Sequence, residues 1–467
     1  MRRRHLSVLA TAVALAVVVA QPAAAHHRPG HAGGPPPHAP GGPGTPGNDP
    51  AEDVSAPRVV VAAIDSGTNP YHEFFHAGGD GPYPSDAPPT GVTPDVLAEF
   101  GIGDDQVLHL TRTGDVAADL AADTAQWDAV QPGVPYWFAG TNVIGISFDT
   151  STRTPLRPGP EKSAHGVGVA AAVLEANPEA VVVLVEGITD ASEEWAFTHP
   201  AVDVVTTSYG PIGSPPLPEH LSFSHTGVVG NGKLHFGAVD NSPALSPIDS
   251  TGGPWWSIGV AGFQEHDTRG RQHLSGTASD FLGAFVQDLP YCMDCQSGRR
   301  EVAGTSFATP TGAGVASLGI LAARRAAGHV GGITGDERLL VAGDGLRLNN
   351  WQVRRALEEA AAYPALEEWD PLAFGSPLDA VGTPILDPAP WLTAGWGLLS
   401  ADPDRGVVEE LLARLGVAGE PTRTKDADTC TFMTTLFEAR FAYWNTYAFL
   451  GESWLSDEDP YVRCPSR

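Results

Sequence analysis

From residue 58 the chain alternates short apolar runs with longer segments rich in small residues, and this alternation limits its possible folds more than any other feature. RVVVAAID (58–65), AVVVLVEG (180–187), VDVVTTSYG (202–210) and KLHFGAVDN (233–241) read as buried strands. HGVGVAAAVLEA (165–176) reads as a helix packed closely through small residues, and a second helix follows Thr305, after the further apolar run WWSIGVAGF (255–263). Strands alternating with helices imply an α/β domain whose mainly parallel sheet is covered on both faces. Sites in such sheets lie at the carboxyl ends of the strands. Asp65 ends the first of these strands and Asn241 the fourth.

With 467 residues, 42% of them hydrophobic, the chain can bury a large core and carry extensions. A formal charge of −28 repels nucleic acid and anionic membrane, so neither is an expected partner. The acidity reads as a solvated surface. Only three Lys stand beside 24 Arg, a compositional bias that points to no ligand.

The start of the chain, MRRRHLSVLATAVALAVVVAQPAAA, joins an Arg cluster, an apolar stretch from Leu6 to Ala20, and Ala23 and Ala25 before an expected cut. It reads as an export signal over residues 1–25, the other reading being an uncleaved anchor, for which about 15 apolar residues are few. The expected location is extracellular, with no stable membrane span. Residues 26–56 are rich in Pro, Gly and His and read as a disordered linker, in which His26, His27, His31 and His38 offer at most weak metal capture. Export also suits four Cys, which can close two disulfides. Cys292 and Cys295 in CMDC also form half of a zinc pattern, without a matching second pair; Cys430 and Cys464 are the remaining two.

A serine hydroxyl is a poor nucleophile at neutral pH and needs a base, usually a His oriented by a carboxylate. Asp65 in IDSG, His165 in SAHG and Ser306 in GTSFATP supply that set. Ser306 opens its helix, where free N–H groups and the helix dipole favour developing negative charge. Pro310 follows within the first turns, where a missing donor is expected to cost little. His72, His76, His109, His235 and His273 read as structural.

The three motifs, in the order Asp, His, Ser, resemble those of the subtilisin-like serine peptidases over roughly residues 57 to 415. The resemblance implies a three-layer α/β sandwich and hydrolysis of protein or peptide substrates through an acyl-enzyme. It gives the catalytic roles to Asp65, His165 and Ser306 and the oxyanion-binding role to Asn241, with Asn231 as a rival that precedes its strand. Ser208, Tyr209 and Gly210 are similar to the segment that pairs with substrate backbone. Asp240 stands where the family has Gly beside the pocket for the side chain preceding the cut. A carboxylate there would favour Arg or Lys, or else be a turn residue. LNNWQVRRALEEAA (348–361) and GWGLLSADP (395–403) resemble the family's closing helix and Gly-rich turn. No cofactor is required, and calcium, common in the family, finds no recognisable ligand spacing.

The chain also departs from the pattern. Val167 and Gly168 replace the Thr and His that usually follow the catalytic His, and an insertion of roughly residues 76–140 separates Asp65 from His165. The stretch between Ala25 and Pro57 is too short for the family's folded prodomain. The domain is expected over residues 57–416 with a C-terminal extension over 417–467. Two other readings are a binding module of the same fold with lost or restricted activity, and a serine-carboxyl peptidase, which His165 argues against.

Overall fold

The computed structural model describes residues 56–149, 154–210, 216–239, 241, 250–264, 273–275, 280–343, 345–363, 395–425 and 427–444. Ten strands form one sheet: β1 (Val60–Asp65), β2 (Val107–Leu108), β3 (Tyr136–Phe138), β4 (Val143–Ser147), β5 (Val181–Glu186), β6 (Val204–Thr207), β7 (Leu234–Ala238), β8 (Ile258–Gln264), β9 (His273–Ser275) and β10 (Phe281–Ala284). Across the sheet they run β10-β8-β7-β6-β1-β5-β4-β3-β2, with β9 paired to β8. The body from β10 to β4 is parallel throughout.

Helices α1 (Pro94–Glu99), α2 (Val116–Ala122), α3 (Thr124–Ala129), α4 (His165–Ala176), α5 (Asp190–Thr198), α6 (Pro218–His225), α7 (Thr305–Ala327) and α8 (Asn350–Ala360) surround this sheet. Strand side chains alternate between faces. On β1, Val61 and Ala63 join one core with α4 and α7, whereas Val60, Ala62 and Ile64 join another with Ala196 and Phe197 of α5. Because both faces are covered, β1 and β5 are buried along their full length, which is why they read as unbroken apolar runs. The expected three-layer α/β arrangement is the one observed.

The insertion extends the sheet edge. β3 pairs antiparallel with β4, and β2 pairs with β3. α7 is long and apolar enough to cross a membrane by composition, but it is mostly buried inside the protein. The C-terminal helix Ala427–Trp444 also enters the interior: Cys430 and Met433 join the main core, and Trp444 packs with Trp255 and Trp256.

Candidate active site

β1 delivers Asp65 to the carboxyl edge of the sheet, in register with Glu186 of β5. Its Oδ1 accepts hydrogen bonds from the Ser66 amide at 2.6 Å and hydroxyl at 2.9 Å. His165, the first residue of α4, places Nδ1 2.9 Å from both carboxylate oxygens. An acceptor on that side assigns the proton to Nδ1 and leaves Nε2 as the basic nitrogen. α4 comes this close because Gly166 has no Cβ, which would lie 2.6 Å from the Gly67 carbonyl oxygen.

Burial lowers the pKa of His165, but the charge of Asp65 and the hydrogen bond to it outweigh burial and raise it above its ordinary 6.5. Two consequences have opposite signs. The imidazolium–carboxylate pair stabilises the fold below the unfolded pKa, and that contribution is lost as pH rises through the folded pKa. In the role its motif implies, that of a general base, His165 would have to be neutral, so activity would rise over the same range. The acid limb of kcat/KM is therefore expected above pH 6.5, moving down in Asp65→Asn; a limb that stays fixed in that variant would assign it to another group.

The imidazole packs beside two rings that also meet each other, Phe307 at 5.1 Å and Tyr291 at 6.5 Å between centroids. These rings account for Gly168: a Cβ there would lie 2.9 Å from Phe307 and 3.1 Å from Tyr291. Aromatic packing thus occupies the space beside His165 that Val167 and Gly168 leave. The chain entering His165 is also tethered. Lys162 donates to Glu186 at 2.7 Å and to the Thr154 carbonyl at 2.9 Å, and the other Glu186 oxygen takes the Leu156 amide at 2.8 Å. Both charged groups are buried, so the pair fixes the loop against the strand beside Asp65. A charged residue closing the apolar run AVVVLVEG was the only sequence signal for Glu186.

Ser306 sits in the first turn of α7. Its hydroxyl donates to the Ser208 carbonyl at 3.3 Å, and no hydrogen bond to His165 is present among the described residues. The Ser306 carbonyl accepts from the Ser208 hydroxyl at 2.8 Å. Pro310 explains this second bond, and the expected reason for its small cost, a donor unpaired at the helix start, is corrected. It is the sixth residue of α7, where an amide would ordinarily bond the Ser306 carbonyl, so its missing N–H frees that oxygen for Ser208.

Asn241 lies against the same helix start. Its Oδ1 accepts from the Thr305 amide at 2.8 Å and hydroxyl at 3.0 Å, which leaves Nδ2 as the outward donor. Asn231 instead donates to the Phe197 carbonyl at 3.1 Å. Tyr209 turns inward: its hydroxyl donates to Glu193 at 2.6 Å, its carbonyl accepts from the Thr251 hydroxyl at 3.3 Å, and burial followed by the Glu193 charge pushes its pKa well up. Asp240, His273's side chain and Cys464 lie outside the described residues.

Cys292 and Cys295 stand side by side with Cα atoms 5.8 Å apart, next to His72. The zinc reading fits poorly there, because His72 Nε2 already bonds the Gly298 carbonyl at 2.9 Å and Nδ1 accepts the Phe74 amide at 3.2 Å. His76 and His235 are likewise buried and hydrogen-bonded, to Pro70 and to Thr207 and Ser257.

No protein-family model matches the chain, and no curated protein matches it. Solved structures similar to it include a lanthipeptide protease, at 14% identity over 76% of this chain and 88% of that one, with a TM-score of 0.41. The prenylagaramide maturation protease PagA is similar at 14% identity over 79% and 97% of the two chains, TM-score 0.39. The PatG macrocyclase in complex with peptide is similar at 12% identity over 76% and 92%, TM-score 0.38.

Proposed function

We propose that the chain is a secreted serine endopeptidase that hydrolyses peptide bonds through Asp65, His165 and Ser306. One observation carries the reading: a buried carboxylate holds His165 by Nδ1 while Ser306 and Asn241 meet at the start of α7. In the proposed cycle a substrate strand lies along Ser208 and Gly210, and rotation about χ1 turns the Ser306 hydroxyl from Ser208 toward His165. Nε2 takes the hydroxyl proton as Oγ bonds the carbonyl carbon, and the carbonyl π electrons move to oxygen. Asn241 Nδ2 and the Ser306 amide hold the oxyanion. Collapse breaks the C–N bond, and the imidazolium returns its proton to the leaving amine. Water, deprotonated by His165, then releases the acid and restores Ser306. These protein groups and water complete the chemistry without a cofactor; bound calcium would be structural.

Export rests on the N-terminal signal, and paired Cys292 and Cys295 suit an oxidising compartment. The bond from Ser306 to Ser208 favours a second reading, a binding module of this fold. A fluorophosphonate probe separates the two: an active enzyme should label at Ser306 and lose the label in His165→Ala. Labelling elsewhere, or none across pH and added calcium, decides for the binding module.

A further inference from the structure

The C-terminal helix Ala427–Trp444 lies outside every motif of the proposed peptidase, yet it sends a charged side chain into the interior. Arg440 is fully buried. Its Nε donates to the Gly253 carbonyl at 2.7 Å, and Nη2 reaches the carbonyls of Gly252 at 3.0 Å, Pro254 at 2.6 Å and Ser257 at 3.2 Å. Nη1 pairs with Asp280 at 3.0 Å. The indole N–H of Trp444 adds a second donor to Gly253 at 3.1 Å. Four carbonyls of residues 252–257 are thus gathered onto this guanidinium, while Arg354 Nη1 takes the Trp255 carbonyl at 2.8 Å and shares that of Ser257 at 3.2 Å. Carbonyls brought this close repel one another, and the forked donors of a guanidinium offset that repulsion at several oxygens at once.

The gathered loop touches the substrate side of the sheet. Gly252 packs so tightly on β7 that a Cβ on it would lie 2.5 Å from the Gly237 carbonyl oxygen. The next residue back, Thr251, shares its hydroxyl between the carbonyls of Tyr209 at 3.3 Å and Ala238 at 3.5 Å. Those two carbonyls belong to the two chain segments that meet the start of α7: Ser208–Gly210, bonded to Ser306, and Ala238–Val239, where the Val239 carbonyl takes the Thr305 hydroxyl. The loop therefore spans the gap between them, and Arg440 holds the loop.

We propose that Arg440 is a positioning residue for peptide binding, acting through Thr251 to set the spacing between the segment at Tyr209 and the segment at Ala238. The inference rests on the peptidase reading. It makes the C-terminal helix part of the substrate-binding apparatus: loosening its grip should widen or misalign the strand-pairing groove while leaving Asp65, His165 and Ser306 in place.

The test uses the full-length protein and two variants, Arg440→Lys and Thr251→Val. Lys keeps the charge but cannot satisfy four carbonyls and a carboxylate, and Val keeps the shape of Thr while removing the bridging hydroxyl. Active sites are counted with the fluorophosphonate probe, and kcat and KM per labelled site are measured on peptides of several lengths. The expected result is a rise in KM of about tenfold for Arg440→Lys and about threefold for Thr251→Val, with kcat per labelled site within about threefold of the parent. A merely structural role would lower the number of labelled sites and leave KM unchanged, and that outcome overturns the proposal. If Arg440→Lys does not accumulate as folded protein, Thr251→Val decides by the same criterion. A parent protein with no label at Ser306 removes the peptidase reading and this inference together, whereas a labelled parent whose variants keep its KM removes the inference alone.

Discussion

Ser306→Ala and His165→Ala should each lower kcat/KM on a peptide substrate by roughly 10⁴- to 10⁶-fold, and the double variant should fall little further. In the proposed cycle the two side chains act in one proton transfer: without the base the hydroxyl is not activated, and without the hydroxyl the base has no nucleophile to serve. Removing either therefore forfeits the same step, and the losses do not multiply. Asn241→Ala should behave differently, lowering turnover by roughly 10²- to 10³-fold with KM nearly unchanged, because its donor matters most when the oxyanion forms. Steady-state kinetics on all four variants distinguishes these patterns. Multiplicative losses for Ser306 and His165 would mean that they do not share a step, and a full loss from Asn231→Ala would transfer the oxyanion role to the start of β7.

Five of the ten strands, β1 and β5 to β8, were legible because periodicity and burial agree there, whereas β4, short and interrupted by Gly145 though buried throughout, was not. β1 ends at Asp65 and α4 spans the twelve residues from His165 to Ala176, as the pattern indicates. β7 stops at Ala238, short of Asn241, because the chain leaves the sheet there and Val239 offers its carbonyl to the Thr305 hydroxyl instead. An apolar run does not reveal where it leaves its neighbours.

The charged interior was not legible at all. Acidic residues read as solvated surface, yet Asp203, Glu186 and Asp280 are buried, each facing a cation remote in sequence: Arg324, Lys162 and Arg440 are 121, 24 and 160 residues away. The three lysines likewise hold partners within the fold. Lys162 meets Glu186, Lys233 donates to the carbonyls of His199 and Val202, and Lys425 to those of Ala361 and Trp396. Local patterns carry no information about such partners, since only the closed fold brings them together.

The most consequential of these pairs for stability lies at the far end of the helix that begins with the nucleophile. Arg324, in the last turn of α7, forms a two-pronged bridge with Asp203 at 2.7 and 2.8 Å, and neither side chain is exposed to solvent. Arg324 also donates to the carbonyls of Leu340 at 2.8 Å, Arg58 at 2.6 Å and Gly332 at 3.0 Å. Asp203 in turn accepts the Val60 amide at 2.9 Å, at the first residue of the strand that ends in Asp65. One pair therefore anchors the back of both α7 and β1.

Arg324→Met should destabilise the fold by about 3–5 kcal/mol, because it leaves the Asp203 carboxylate and three carbonyls buried without their donor. The double variant Asp203→Leu with Arg324→Met should recover part of that loss, since it removes the stranded charge as well. Denaturant unfolding of the two single variants and the double variant measures the coupling. A double variant no more stable than Arg324→Met would show that the loss comes from the carbonyls and packing, not from the unpaired carboxylate. In whichever variants remain folded, the rate of Ser306 labelling should stay near that of the parent, because the lost contacts lie at the opposite end of the helix from the nucleophile.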